Sequence, residues 1–210
     1  MRITMKIIFS ISIIAITNSC DKEAIEFETT FGNNFEISKV SKIELSNNIK
    51  RTYQKNLVGL SMKRSISEFD FEEITRIYDV ESGTTSYMVE SNGNKNIKLG
   101  VFPIINGEFT FLKIEYLSED NNIKKILYKD FDNNLLSEIL ININDKTVNA
   151  NEVHSRIQNK GGCGQETIDC ITSAYTEQGW YSVAGWVITG FQPWFGVAVA
   201  AGCAGLSCLN

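Results

Sequence analysis

Five cysteines and a single histidine are the residues of this 210-residue chain best suited to covalent or metal chemistry. Four of the thiols, Cys163, Cys170, Cys203 and Cys208, fall in the last 48 residues, and His154 precedes the first of them by nine positions. A thiol–imidazole pair needs its base held against its nucleophile, and nine residues of polar connection do not hold it. Zinc sites of four cysteines pair their ligands two to four residues apart, whereas these pairs are seven and five positions apart, so no metal is assigned. Disulfides fit better. Met1–Ser19 carries Arg2 and Lys6, then the apolar run Ile7–Ile16, then small and polar residues up to Cys20. That run is shorter than the roughly 20 residues of a membrane span and has the layout of a cleaved export signal, which places the mature chain in an oxidising compartment. Cys163 and Cys170 are two helical turns apart, too far to bridge within one helix, so bonds between the first pair and the second are expected. A nested Cys163–Cys208 and Cys170–Cys203 pairing would staple an antiparallel hairpin, and the crossed pairing satisfies the same spacing.

Thr17-Asn18-Ser19-Cys20, placed directly after the apolar run, resembles the cleavage site of a bacterial lipoprotein precursor. The resemblance implies that Cys20 becomes the first mature residue and is lipidated on its thiol and its new amino group. Two lipid signals on one residue give stable anchoring, where one chain gives marginal binding. Asp21-Lys22-Glu23 is similar to the acidic export signal of surface lipoproteins in the Bacteroidota. The implied location is the cell envelope, lipid-anchored at the outer membrane and on its outer surface. The implied partner is that membrane, engaged through Cys20.

Removing Met1–Ser19 leaves 18 basic against 25 acidic residues, a net charge near −7. Such a chain has no broad attraction for phosphate backbones, so nucleic acid is not an expected partner. A hydrophobic content of 43% is enough to bury a core. Gly-x-Ser-x-Gly, His-Glu-x-x-His and glycine-rich phosphate loops do not occur in the sequence. No catalytic residue and no cofactor is assigned, and the chain is expected not to be an enzyme. Asp130-x-Asp132-x-Asn134 starts like a calcium loop, but Leu135 stands where that loop needs glycine and Ile141 where it needs glutamate.

The elements that must position these residues fall into five parts. Residues 1–19 are the signal, 20–34 a lipidated tether, 35–148 a body, 149–162 a linker and 163–210 a Cys-framed tail. In the body, Ser46–Leu60 places Ile49, Tyr53, Leu57 and Leu60 at helical spacing behind a Ser46 cap. From Glu72 the period becomes two, predicting strands over Ile74–Val80, Thr85–Glu90, Ile97–Pro103, Glu108–Leu117, Ile123–Phe131 and Leu135–Ile143. Gly, Asn and Asp between them supply hairpin turns, so the strands should form an antiparallel meander. In Phe109–Tyr116 one face takes Phe109 and Phe111 and the other Thr110, Leu112, Ile114 and Tyr116, so both faces of the sheet should be covered. Tyr116, Asp120, Asn121, Asn122 and Ile123 recur twelve residues later as Tyr128, Asp132, Asn133, Asn134 and Leu135, which implies consecutive hairpins in one frame.

In the tail, everything from Gln178 to Asn210 is uncharged. Ile168, Ile171, Ala174 and Tyr175 share one helical face, and the apolar segments Trp180–Phe191 and Trp194–Leu206 follow. Ala184, Gly185, Ala198, Gly202 and Gly205 would allow close helix approach. Gly161-Gly162 followed by a Cys-framed, Trp-bearing, glycine-rich peptide resembles a disulfide-bonded bacteriocin, although such peptides are usually cationic. The fold class expected is α+β: an antiparallel β-meander with one N-terminal helix, followed by a disulfide-stapled apolar helical hairpin. The function expected is a membrane-anchored, non-enzymatic binding module, with a carrier of a bacteriocin-like membrane-active peptide as the alternative. Trp180, Trp186, Phe191, Trp194 and Phe195 are the candidate contacts to an envelope protein or a target membrane.

Overall fold

Period-two alternation through the middle of the chain produces one eight-stranded antiparallel sheet whose strands lie in chain order. The computed structural model describes residues 35–40, 42–58, 66–80, 83–104, 107–152, 165–179, 183 and 193–208. The strands are β1 (Phe35–Val40), β2 (Phe69–Asp79), β3 (Thr85–Ser91), β4 (Ile97–Pro103), β5 (Phe109–Ser118), β6 (Ile123–Lys129), β7 (Leu135–Asn142) and β8 (Thr147–Glu152). Helix α1 (Ile43–Val58) joins β1 to β2, and α2 (Gln165–Gln178) and α3 (Trp194–Cys208) follow the sheet. The architecture is the expected α+β meander with helices at both ends of the chain.

Helices pack on both faces, and β5 shows how the sequence arranges this. Phe109 and Phe111 enter the α1-side core, while Leu112 and Ile114 enter the core shared with α2 and α3. On the α1 side, Tyr53 is 2% exposed and sits between four rings. Its centroid is 5.7 Å from Phe69, 5.2 Å from Phe71, 5.4 Å from Phe111 and 5.0 Å from Phe131. Ile49 lies one turn before it in the same layer. On the other side Ile77, Ile114, Ile126, Ile139 and Ile141 pack with Ile168, Ile171, Val197 and Ala200.

The turns carry their own order. Asp120 Oδ1 accepts from the backbone N–H groups of Asn122 and Ile123, both at 2.6 Å. Asp130 Oδ1 accepts from those of Asp132 and Asn134, both at 2.8 Å, and its Oδ2 accepts from the Asn134 side chain at 2.8 Å. Asp130, the first residue of the calcium-like pattern, therefore spends both oxygens on the turn. Asn133 takes φ 67°, the left-handed region that asparagine tolerates best among residues with a side chain.

Three boundaries differ from the sequence reading. Helix α1 begins at Ile43 instead of Ser46, and the Ser46 hydroxyl donates to the Phe71 carbonyl of β2 instead of capping. Strand β2 begins at Phe69 and accommodates an irregularity between Asp70 and Ile74, which keeps Phe71 and Ile74 in the same core. The expected linker loses its first four residues, because β8 runs through Asn149–Glu152 and closes the sheet. β1 and β8 went unread because they are edge strands with only one side partly covered, and Thr-Val-Asn-Ala-Asn-Glu has none of the apolar weight of a central strand. Leu60 of the expected helix lies outside the described residues. Replacing Tyr53 with alanine removes the hub of the α1-side layer and should cost about 3–5 kcal/mol, read as a lower denaturation midpoint at unchanged slope.

Candidate interaction surface

Three tyrosines decide where the tail helices sit. Tyr116 and Tyr128, the repeated tyrosines of consecutive hairpins, lie on the same face of β5 and β6, because Tyr116 stands opposite Ile126 and Ile114 opposite Tyr128. The Tyr116 hydroxyl donates to the Pro193 carbonyl, and the Tyr128 hydroxyl donates to the Gly196 carbonyl at 3.2 Å. Tyr128 also meets the Tyr175 hydroxyl of α2 at 3.0 Å. Ser137 of β7 and Thr172 of α2 form a further buried hydroxyl pair at 3.2 Å. The hydroxyls of Tyr116, Tyr128, Tyr175, Ser137 and Thr172 thus each have a partner, and these bonds tie the tail to the strands.

Gly196 is the close-approach residue. A Cβ built there would lie 2.5 Å from the Tyr116 hydroxyl, so only glycine lets the first turn of α3 reach β5. Sequence reasoning chose Gly202 for close approach, but a Cβ there meets nothing within 4 Å. The signal for Gly196 was the tyrosine repeat itself, since two large side chains on adjacent strands require something small above them.

The disulfide Cys170–Cys203 joins α2 to α3 with Cα atoms 5.5 Å apart. Cys208 ends α3; Cys163 and Cys20 lie outside the described residues, as do Trp180, Trp186 and Phe191. Trp194 and Phe195, two of the candidate partner or membrane contacts, are half-buried against the core. Their rings are 6.4 Å apart, and Phe195 lies 6.5 Å from Tyr175. The described part of the tail is therefore committed to the sheet. No helix among the described residues is long and apolar enough to cross a membrane, and no described cluster of His, Cys, Asp and Glu could hold a metal ion.

Two surfaces remain on the α1 side. Beyond the helix, β5–β7 carry an ionic ladder in which Lys113 pairs with Glu68, Lys129 with Glu115, and Lys125 with Glu119 at 2.5 Å. The hydrogen bond that Lys125 donates to Glu119 raises the Lys125 pKa. Each lysine of this ladder is neutralised where it stands: Lys113 is buried, and Lys129, Glu115 and Lys125 are mostly buried. The second surface is a cleft of about 450 Å³ between Lys50 of α1 and the start of β2, lined by Phe69, Asp70, Phe71 and Glu72, with Ser67 and Asn92 at its end. It lies where β1 stops pairing with β2: β1 covers Ile74–Asp79, and no described strand flanks Phe69–Glu73 on that side. Phe69 and Phe71 are almost wholly buried in the α1-side core, Lys50, Asp70 and Glu72 bring charge to the lining, and the volume falls in the range of ligand pockets.

No protein-family model, no curated protein and no solved structure matches the chain. Its functional reading rests on its own residues.

Two outcomes follow from the tyrosine cluster. Gly196→Ala should destabilise the fold by about 1–3 kcal/mol, and adding Tyr116→Phe should recover part of that by removing the clashing oxygen. Burial pushes the Tyr116, Tyr128 and Tyr175 hydroxyls above the ordinary value of 10.0. The unfolded chain sheds these protons near pH 10 while the folded chain keeps them, so their contribution is intact below pH 10 and is lost as pH rises beyond it. In an absorbance titration of tyrosine ionisation, three of the seven tyrosines should titrate only together with alkaline unfolding.

Proposed function

We propose that the mature protein is a lipid-anchored envelope lipoprotein whose folded body binds a partner or ligand and performs no covalent chemistry. The anchor reading is supported by the signal-like Met1–Ser19 and by Cys20 directly after it. The observation that carries the binding reading is the cleft of about 450 Å³ beside the start of β2, which pairs with β3 but not with β1. Lys50, Asp70 and Glu72 on its lining offer charge to orient a ligand, while Phe69 and Phe71 behind them belong to the core. The packing of α2 and α3 into the sheet's core supports a retained tail over a released one, since detaching them would uncover Ile114, Ile126, Ile139 and Ile141. Outer-membrane attachment, with the body on the outer surface, remains the location this reading implies.

The anchor is tested by Cys20→Ser in the native host. The wild-type chain should partition into the detergent phase and incorporate labelled palmitate, and the variant should do neither while keeping its circular dichroism. Detergent-phase recovery of the variant equal to that of wild type would contradict the reading.

A further inference from the structure

The cleft beside the start of β2 has walls held by their own bonds. On one wall the Ser46 hydroxyl of α1 donates to the Phe71 carbonyl, and Lys50 follows one turn later on the same side of the helix. Ile49, beside Lys50, is wholly buried and holds the helix in that rotation. At the far end the Asn92 backbone N–H donates to the Glu68 carbonyl at 2.9 Å, and its side-chain amide donates to the Ser67 carbonyl at 3.0 Å. The oxygen of that amide is left over as an acceptor. Between the two walls β2 bulges. Asp70 pairs with Glu90 and Ile74 with Val89, so Phe71, Glu72 and Glu73 have no opposite residue on β3, and β1 pairs with β2 only from Ile74 onward. Bulges re-aim side chains and recur beside active sites. Asp70 closes this one by accepting the Glu72 backbone N–H at 2.9 Å on Oδ1.

The charges on this lining are unspent. Lys113, Lys125 and Lys129 on the same side of the sheet each hold a glutamate. Lys50, Asp70 and Glu72 make no ion pair among the described residues, although they line one cleft. A ligand that is only a cation would leave Lys50 unmatched, and one that is only an anion would face two carboxylates. We propose that the cleft binds a small zwitterion, with its carboxylate on Lys50, its ammonium on Asp70 and Glu72, and the Asn92 amide oxygen as a further acceptor. That chemistry is shared by a free amino acid and a short peptide with both ends free. The volume of about 450 Å³ lies within the range of small-molecule sites. The assignment rests on the reading of this cleft as the binding site and names the class of ligand it takes.

The test follows amide chemical shifts of the isotopically labelled full mature chain in detergent micelles. The probes are alanine, dialanine, N-acetyl-dialanine, dialanine amide and the doubly blocked N-acetyl-dialanine amide. Dialanine should shift the amides of Ser67, Asp70, Glu72 and Asn92 saturably, and blocking either end should weaken binding about tenfold. Lys50→Gln should weaken dialanine about tenfold and leave dialanine amide unchanged. Asp70→Asn with Glu72→Gln should weaken dialanine as much and leave N-acetyl-dialanine unchanged. Asparagine at position 70 keeps an oxygen for the Glu72 N–H, so the bulge is retained. Binding of dialanine alone assigns the site to peptides, and equal binding of alanine assigns it to free amino acids. Saturable binding that blocking does not weaken would overturn the zwitterion and leave the cleft a ligand site. No shift at those amides with any probe at about 10 mM would also overturn the proposal. The cleft reading itself fails only if a panel of neutral, cationic and anionic small molecules is equally silent.

Discussion

The Tyr128 hydroxyl holds the two layers of the molecule in register. It sits 3.0 Å from Tyr175 of α2 and 3.2 Å from the Gly196 carbonyl of α3, in a core where no water is available to replace either partner. Leaving such a group unpaired costs about 1–3 kcal/mol, so the three elements are fixed in one arrangement by the need to satisfy it. Everything around it follows. Glycine at position 196 admits the close approach, Tyr116 takes the Pro193 carbonyl one strand away, and Ala198, Ala200, Ala201 and Ala204 let the rest of α3 lie deep in the core.

This arrangement also explains how so apolar a tail is kept from water. Residues Gln178–Asn210 contain no charge, and a helix with that composition is stable in water only if its surface is taken up elsewhere. The far face of the sheet supplies that surface through its isoleucines. The Cys170–Cys203 bond then closes a separation of 33 residues, which on chain-entropy grounds adds roughly 4 kcal/mol by restricting the unfolded state. Burial and cross-link act on different sides of the equilibrium, one on the folded chain and one on the unfolded chain. On the opposite face, α1 covers only part of the sheet. On the rest of that face lysines and glutamates neutralise one another, Lys113 doing so while buried.

The central strands were legible because their alternation is driven by burial on both faces, as in Phe109–Tyr116, where each side chain's face could be assigned from parity alone. The Tyr116/Tyr128 repeat gave the hairpin frame correctly. Its meaning lies in long-range contact: neither Gly196 nor Pro193 stands near these tyrosines in sequence. The edge strands were illegible for the opposite reason. β8 is held mainly by backbone pairing to β7, and backbone hydrogen bonds leave no mark on residue type. Ser46 shows the same limit, since a serine at a helix start signals a cap locally, while its bond to Phe71 spans 25 residues. The cleft could not be read at all, because it lies where β1 stops pairing with β2.

The account's central claim is that the tail helices are part of the sheet's folding unit and not an appendage. Native-state hydrogen exchange followed by mass spectrometry, on the oxidised chain, tests this directly. If the claim is correct, amides of α2 and α3 are protected to the same free energy as those of β5 and β6 and lose protection together with them. Rapid exchange across α3 while β5 and β6 stay protected would contradict it, and would show a sheet that folds without its second layer.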